Sequence, residues 1–219
     1  MKLSQKSLLA LEVVSRVLVV AFLSVFLLRA WTELRWIARE GGAGAIFTSR
    51  GLTVLLLAAA ETITVVLVVS ARFARETRRS PYAISITVAA TFYFLLVEVS
   101  RGAPLLPLPA TAPLQIAGIS TQILAKIWLG RSFGLLPAHR GLVTTGPYRA
   151  VRHPIYLGYL LNHVGYLLGN YTHQNLCVYA GLYALQVLRI LEEEKLLRQD
   201  PEYLEYTKKV RYRLIPFLF

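Results

Sequence analysis

Apolar residues in this chain fall in long continuous runs and not in the narrow stripes of a soluble amphipathic helix. Two shorter runs, residues 155–169 and 176–191, flank the polar turn 170–175, which predicts a helical hairpin. The pattern therefore predicts an all-α fold: a polytopic membrane bundle of about six helices that ends in this hairpin and a short cytoplasmic helical tail. Four further runs are close to the ~20 residues that a helix needs to cross a bilayer core, namely residues 7–31, 51–71, 82–100 and 110–130.

The composition agrees with a membrane protein. Hydrophobic residues make up 55% of the 219 positions and charged residues 16%, whereas soluble domains carry about 25% charged residues. The first run is too long for a cleaved signal peptide, so we expect it to remain as an anchor helix. The single cysteine, Cys177, lies inside an apolar run, which excludes a disulfide framework and a cysteine-based zinc site. We expect no metal centre.

The net charge of +12 could indicate nucleic-acid binding, but the placement of the charges argues for a membrane topology. Arginines concentrate in two loops, whereas residues 101–109 carry only Arg101 and residues 170–175 carry none. The positive-inside rule produces this alternation. We therefore expect both termini and both loops in the cytoplasm, membrane lipids around the helices and no nucleic-acid partner. The two loop sets are Arg72, Arg75, Arg78 and Arg79, and Arg131, Arg140, Arg149 and Arg152.

The chain changes character near Gly130. Residues 1–130 are predicted to form the N-terminal transmembrane helices. Residues 131–219 begin with a loop rich in glycine and arginine, continue through the hairpin and end in a charged tail. We place the functional boundary at this point and expect both parts to pack as one bundle.

The most informative segment, residues 146–158, reads GPYRAVRHPIYLG. It sets Arg152, His153 and Tyr156 where a loop leads into an apolar helix. The second hairpin helix ends in three glutamates, residues 192–194. At about 1.5 Å per residue the two hairpin helices are ~20 and ~25 Å long, so those ends should lie at nearly the same depth. We expect His153 and Tyr156 to face Glu193 and Glu194, with Glu192 pointing elsewhere.

Helical spacing predicts that two polar and aromatic faces meet inside the hairpin. One face carries Tyr156, Tyr159, His163 and Tyr166, and the other carries Tyr179, Tyr183, Gln186 and Glu193. The alternative is that these tyrosines mark a membrane interface.

Ionisable residues inside other runs, above all Glu61 and Lys126, are explained equally well by pairing between helices and by a polar lining for a substrate head group.

These side chains together favour a cationic or amine-bearing ligand. Carboxylates attract a cation or accept from an amine or from ribose hydroxyls, and aromatic rings favour a cation over their faces. The glycines of the loop allow the backbone to approach a ligand closely. Pro154 suits the first turn of a helix.

The same residues resemble the isoprenylcysteine carboxyl methyltransferase family of integral-membrane methyltransferases. The likeness covers roughly residues 128–219 and rests on three elements: LVTTGPYRAVRHPIYLG, EEEKLL, and EYLEYTKKV with the closing Ile-Pro pair. The connection at residues 198–201 departs from the family, because it is short and lacks the Phe-Gly pair found there.

The resemblance implies that S-adenosylmethionine is the cofactor and that the site faces the cytoplasm. It implies roles for Arg152, as the orienter of an anionic substrate group, and for Tyr183, as a candidate general base beside His163 and Glu61. The implied cofactor-binding residues are Leu142, Val143, Gly146, Tyr148, His153, Pro154, Tyr156, Gly158, Glu193 and Glu194.

The expected function is methyl transfer to an amphiphilic acceptor, with isoprenoid carboxylates first and lipid amines second. A carboxylate acceptor needs no general base, whereas an amine, hydroxyl or thiol does. Two other classes stay open: a membrane sterol-type reductase that uses NADPH, and a membrane protein that binds or transports without catalysis.

Overall fold

A computed structural model describes residues 5–42, 44, 46, 49–72, 76–77, 81–98, 102–134, 138–139 and 141–219. Helices dominate this part of the chain, so the predicted all-α fold is confirmed. A single antiparallel pair of two-residue strands, β1 (Glu76–Thr77) and β2 (Ala138–His139), joins the two arginine-rich loops. The helices are α1 (Gln5–Gly41), α2 (Ser49–Ser70), α3 (Pro81–Phe92), α4 (Leu108–Leu129), α5 (Pro154–Gly169), α6 (His173–Leu197) and α7 (Pro201–Lys209).

Successive long helices alternate in direction. The end of α2 contacts the end of α4, because Lys126 Nζ donates to Thr64 Oγ1 at 2.8 Å and Arg131 Nε donates to the Ser70 carbonyl at 3.2 Å. The two helices are therefore parallel. Arg16 near the start of α1 donates to the Ala71 carbonyl just after α2 at 2.8 Å, which makes α1 and α2 antiparallel.

The second half of the bundle follows the same rule. Helix α5 runs antiparallel to α4, since Gly158 lies against Gln122 and Gly165 lies against Gln115. Helix α6 runs antiparallel to α3: the Asn175 side chain at its start bonds both backbone groups of Glu98, at 2.8 and 2.9 Å, after the end of α3.

Two helices end where the apolar pattern did not predict. Helix α1 continues ten residues beyond the predicted end at residue 31, because residues 32–40 contain neither glycine nor proline. Helix α3 stops at Phe92 and tightens into a 3-10 turn at Tyr93–Leu96, short of the predicted end at residue 100. After that turn the Asn175 side chain bonds the backbone of Glu98, so this part of the chain is held against the start of α6.

One helix in the described residues, Arg16–Gly41, is long and apolar enough to cross a membrane by length and composition. Val54–Ser70 is a shorter apolar helix. The multi-pass arrangement stays a prediction, and Arg75, Arg78, Arg79, Arg101 and Arg140, on which it partly rested, lie outside the described residues.

Helices α4 and α5 make the closest contact in the bundle and lie on opposite sides of the predicted boundary at Gly130. A Cβ on Gly158 would stand 2.6 Å from the Gln122 nitrogen and 2.7 Å from the Gly118 oxygen. A Cβ on Gly118 would stand 2.4 Å from the Asn162 nitrogen. Small residues at a crossing let helix backbones approach in this way. The α4–α5 pair is therefore the fixed frame that positions the loop between them.

We expect Gly158→Ala to lower the melting temperature of the detergent-solubilised protein, because the added methyl meets backbone atoms that cannot yield. Overpacking of this kind costs about 1–3 kcal/mol. Gly181→Ala is the matched control, since Gly181 also lies within a helix but has nothing within 4 Å of its Cβ position. Equal melting temperatures for the two variants would contradict the close crossing.

Candidate active site between the loop, the hairpin and the tail

The loop before α5 is held from both sides. Gly146 has φ +60, and a Cβ there would stand 2.2 Å from the Trp128 indole, so this position requires glycine. The Tyr148 hydroxyl donates to the Ala125 carbonyl of α4 at 3.3 Å, and the Tyr148 carbonyl accepts from the Tyr206 hydroxyl at 2.6 Å. The loop backbone is therefore fixed between α4 and the tail.

Leu142 and Val143 lie at the start of this loop. Leu142 packs against the buried cluster that Tyr203, Tyr206 and Val210 form around α7. Val143 is half-buried. The departure at residues 198–201 does not displace α7, because the Asp200 side chain caps its first turn by accepting from the Glu202 nitrogen at 2.9 Å.

The end of the loop pairs with the C-terminal tail along the backbone. The Arg152 nitrogen donates to the Tyr212 carbonyl at 3.0 Å, and the His153 nitrogen donates to the Arg213 carbonyl at 2.9 Å. Pro154 then opens α5 at its first turn, where a missing N–H costs nothing. The predicted cytoplasmic tail is thus part of the site.

Glu194 connects these segments and is 2% exposed. Its Oε1 accepts from Arg152 Nε at 2.8 Å and lies 3.4 Å from His153 Nε2. Its Oε2 accepts from Arg213 Nε at 3.0 Å and lies 3.6 Å from Arg198 Nη2. Two loop residues, one tail residue and one residue of its own helix therefore surround a single carboxylate.

The Arg152 guanidinium is engaged by the protein itself. Besides Glu194, it donates from Nη1 to the carbonyls of Val210 and Arg211, at 3.0 and 3.1 Å. Arg152 is 7% exposed. These contacts hold the loop against the tail.

Glu193 has different surroundings. It is half-buried, and the Tyr156 hydroxyl donates to its Oε2 at 3.4 Å. The guanidinium carbon of Arg189 lies 5.5 Å from the Tyr156 ring centroid, within cation–π range. Glu192 instead accepts from Lys195 at 2.6 Å. The predicted juxtaposition of His153 and Tyr156 with Glu194 and Glu193 is confirmed.

The two predicted aromatic faces also meet. His163, 8% exposed, lies between two phenols: Tyr183 OH is 2.8 Å from Nδ1 and Tyr93 OH is 2.6 Å from Nε2. The Tyr179 ring stacks on the imidazole at 4.8 Å between centroids. Tyr93, from the 3-10 turn after α3, was not predicted as a member of this cluster.

Glu61 and Lys126 approach each other, but the hydrogen bonds of Lys126 go to Thr64 and to Gln122 Oε1, at 2.8 and 3.3 Å. Lys126 Nζ also lies 5.5 Å from the Tyr159 ring centroid, while its charge acts on the Glu61 carboxyl. Within the described chain Glu61 Oε2 has no hydrogen-bond partner.

Sequence reasoning missed Arg189, Arg213 and Tyr93, and it found Tyr206 only as part of the EYLEYTKKV element. The i, i+4 spacing of Arg189 and Glu193 on one helix was a signal that could have found the first. Arg213 and Tyr93 act across long sequence separations and gave no local signal. Gly158 was predicted to bind cofactor, and the structure places it against α4.

The partners of Glu194 set its ionisation. Burial is the largest single effect and raises the pKa of this carboxyl. The hydrogen bond and charge of His153 and the charges of Arg152 and Arg213 together outweigh burial and lower the pKa from 4.5 to about 2. The carboxylate therefore stays ionised at any physiological pH. Among the described residues, no group of histidine, cysteine and acidic side chains could hold a metal ion.

The ionisation of Glu194 should make the free energy of unfolding depend on pH. Because its folded pKa is lowered, its contribution is complete above pH 4.5 and is lost as pH falls towards 2. The shift corresponds to about 3 kcal/mol. We expect the melting temperature of the wild type to fall over this window, and that of Glu194→Gln to be lower at pH 7 and nearly flat below pH 4.5.

Glu205→Gln is the control for that titration, since Glu205 is exposed on α7 and bridges Lys208 alone among the described ion pairs. An acid limb in Glu194→Gln that matches the wild type would contradict the role of this carboxylate.

Comparisons with known proteins agree with the predicted resemblance. Residues 114–200 match the phospholipid methyltransferase family. The chain is also 38% identical to Protein-S-isoprenylcysteine O-methyltransferase A of Arabidopsis thaliana over 109 residues. This match covers 43% of the chain and 52% of the relative, so the chain spans about half the length of that protein. The family match begins within α4, earlier than the motifs indicated, and so includes the α4–α5 frame.

Proposed function

We propose that this chain, whose residues 114–200 match a methyltransferase family, is an integral-membrane enzyme that transfers a methyl group from S-adenosylmethionine to an amphiphilic acceptor. The observation that carries the proposal is the contrast between two neighbouring glutamates. Glu194 is saturated by protein cations, whereas Glu193 accepts, among the described residues, only from Tyr156 across the hairpin and keeps capacity for a ligand. Arg189, on the same helix as Glu193, lies over the Tyr156 ring.

The side chains around Glu193 fit this cofactor. When bound, S-adenosylmethionine supplies a methyl group attached to a positively charged sulfur, and it also carries an amine, a carboxylate and ribose hydroxyls. Glu193 suits the amine or the hydroxyls, the Tyr156 ring suits a cation, and Arg189 suits a carboxylate. Gln186 Oε1 lies on the same side of α6, is buried, and has no hydrogen-bond partner in the described chain. A buried amide oxygen of that kind is costly unless a ligand donates to it.

The loop supplies the rest of the proposed binding surface. The backbone from Leu142 to Tyr148, together with His153 and Pro154, lies beside the tail and leads into α5. Arg152, His153 and Glu194 act as positioning residues in this proposal, because their contacts fix the loop. The role of Arg152 as a direct contact to an anionic substrate stays a prediction.

Methyl transfer requires alignment of the nucleophile, the methyl carbon and the leaving sulfur. Alignment of this kind contributes on the order of 7–11 kcal/mol. The rigid α4–α5 crossing and the Glu194 contacts are suited to it, because they hold the binding loop and the hairpin in one geometry. Tyr183 and His163 lie further along the hairpin, on the side from which a membrane-embedded acceptor would reach the cofactor.

The proposal includes a multi-pass topology with the site facing the cytoplasm. Its support is the alternation of helix direction and the placement of arginines. Arg16, Arg72, Arg131 and Arg213 all lie at the end of the bundle that holds Glu194. The acceptor is proposed to be amphiphilic because a bundle of membrane helices offers a route to a lipid tail that a soluble domain does not need.

The cofactor assignment is tested by calorimetry on the detergent-purified protein. We expect S-adenosylmethionine to bind at micromolar levels and NADPH not to bind. Glu193→Gln should weaken binding roughly ten- to a hundredfold, because a charge-assisted hydrogen bond is worth about 1.5–3 kcal/mol. Glu192→Gln is the matched control on the same turn of α6 and should keep the wild-type affinity.

Heat with NADPH alone would overturn the enzyme class and favour a reductase. A larger loss of affinity in Glu192→Gln than in Glu193→Gln would show that the glutamate roles are wrongly assigned, even if the cofactor is right.

The topology is tested by cysteine labelling, for which the chain is convenient because Cys177 is its single cysteine. In a Cys177→Ser background, Leu105→Cys lies at the end of the bundle away from the site and Lys208→Cys lies on α7; both positions are exposed. We expect an impermeant maleimide to label Leu105→Cys on intact cells and Lys208→Cys only after permeabilisation. Labelling of both positions from outside would contradict the proposed orientation.

A further inference from the structure

The His163 cluster has a geometry that the cofactor site does not explain. Each imidazole nitrogen meets one phenol, at 2.8 Å to Tyr183 and 2.6 Å to Tyr93. A neutral imidazole has one donor and one acceptor nitrogen, so one phenol must donate to it and the other must accept from it. The two phenols come from different helical segments, and both are half-buried. The arrangement is a continuous chain of exchangeable protons, Tyr183–His163–Tyr93.

The His163 cluster lies on the same side of the hairpin as the proposed cofactor site. Tyr183 lies ten residues before Glu193 on α6, which is ~15 Å at 1.5 Å per residue. Between them, on the same side, lie Gln186 and Arg189, both buried. On α5 the rings of Tyr156 and Tyr159 are 6.4 Å apart, and those of Tyr159 and His163 are 6.1 Å apart. Aromatic contacts therefore run without a break from Glu193 and Tyr156 to His163.

We propose, on the basis of the proposed methyltransferase function, that Tyr183 and His163 take up a proton from the substrate that receives the methyl group. The nucleophile of that substrate is then an amine, hydroxyl or thiol and not a carboxylate. Tyr183 would contact the nucleophile and is therefore a catalytic residue. His163 acts through Tyr183 and is a positioning residue that stores the proton.

Proton transfer accompanies methyl transfer. The nucleophile gives its proton to the Tyr183 oxygen while the Tyr183 proton moves to Nδ1 of His163, whose Nε2–H donates to the Tyr93 oxygen throughout. The freed lone pair forms the bond to the methyl carbon, and the electron pair of the carbon–sulfur bond stays on sulfur. His163 is left as an imidazolium that donates to two phenol oxygens.

The rings of Tyr179 and Tyr159 stack on the imidazole of His163, with interplanar angles of 28° and 7°. Burial disfavours the imidazolium, and the aromatic faces offset part of that cost, so the proton is held only during the reaction. The titratable groups near His163 come from the helices packed around it: Tyr93 after α3, Tyr159 and Tyr166 on α5, and Tyr179 and Tyr183 on α6. Two charged groups act on these tyrosines, namely Glu61 of α2 on Tyr93 and Lys126 of α4 over the Tyr159 ring.

The arrangement disfavours a carboxylate acceptor. Such a group would need a cationic partner and would release no proton. Of the two buried cations on these helices, Arg189 lies over the Tyr156 ring, where it is assigned to the carboxylate of the cofactor, and Lys126 donates to Thr64 and Gln122. Two phenols and a neutral imidazole carry no positive charge that would stabilise a carboxylate. They do provide an oxygen that can accept a proton from a nucleophile and pass it on to the imidazole.

The test uses the full chain in lipid nanodiscs with methyl-labelled S-adenosylmethionine. Four amphiphiles with the same alkyl tail, ending in an amine, a hydroxyl, a thiol or a carboxylate, serve as acceptors. We expect label on at least one of the first three, and at least a tenfold lower kcat for Tyr183→Phe and His163→Asn, recovering as pH rises and the nucleophile loses its proton to water. Cofactor affinity by calorimetry should match the wild type in both variants.

Tyr179→Phe is the matched control, since its ring packs on the same imidazole from the same helix; its kcat should be unchanged. A second readout needs no cofactor: nitrogen NMR of histidine-labelled protein should show His163 as the neutral Nε2–H tautomer, with its Nδ1 resonance shifted in Tyr183→Phe.

Label on the carboxylate alone would overturn the inference, and so would a Tyr183→Phe variant with wild-type kcat. A loss of kcat matched by an equal loss of cofactor affinity and melting temperature, with the pH profile unchanged, would mark the cluster as structural and also overturn it. Failure of the proposed function is distinct: the wild type would then bind no S-adenosylmethionine in the calorimeter, and this inference would fall with it.

Discussion

A carboxylate that is 2% exposed stays ionised only if positive partners replace the water it has lost, and Glu194 obtains them from three separate segments of the chain. The loop before α5 contributes Arg152 and His153, the tail contributes Arg213, and Arg198 follows directly after α6. Apolar contacts join the same segments, because Leu214 of the tail packs with Tyr156 of α5 and Ile190 of α6, and Leu142 of the loop packs against α7. The buried carboxylate adds charged contacts that fix the loop, the hairpin and the tail relative to one another.

The α4–α5 crossing provides the other fixed element. Because Gly118 and Gly158 bring two backbones into direct contact, the register between these helices has little freedom. The loop is fixed to the same frame, because the Tyr148 hydroxyl donates to the Ala125 carbonyl of α4 and the Trp128 indole lies against Gly146. The loop is consequently tied to α4 on one side and to the tail on the other, and its backbone can present groups to a ligand without a large ordering cost.

Much of this site was predictable because it depends on local periodicity. Hydrophobic runs indicated the helices, helical phase brought Tyr156 to Glu193, and the comparable lengths of the two apolar runs brought His153 to the level of Glu194. The remainder depends on contacts between distant segments. Nothing local indicates that Arg213 reaches Glu194, that Asn175 bonds Glu98, or that Tyr93 turns towards His163. Gly158 shows the same limit, because a glycine needed for helix packing and one needed for ligand contact look alike in a sequence.

The distribution of satisfied and unsatisfied groups separates the parts that hold the fold from the parts that await a ligand. Glu194 and Arg152 have their hydrogen-bonding capacity filled within the protein. Glu193 and the Gln186 amide oxygen, on the same helix, do not. Folding energy alone would not favour a buried amide oxygen without a donor, and such groups persist where a ligand supplies the missing partner. The hairpin of α5 and α6 is thus fixed at its Glu194 end, and further along it Gln186 Oε1 is buried with no partner among the described residues. That combination suits the proposed site, in which a charged cofactor binds near the fixed end and the second substrate arrives along the hairpin.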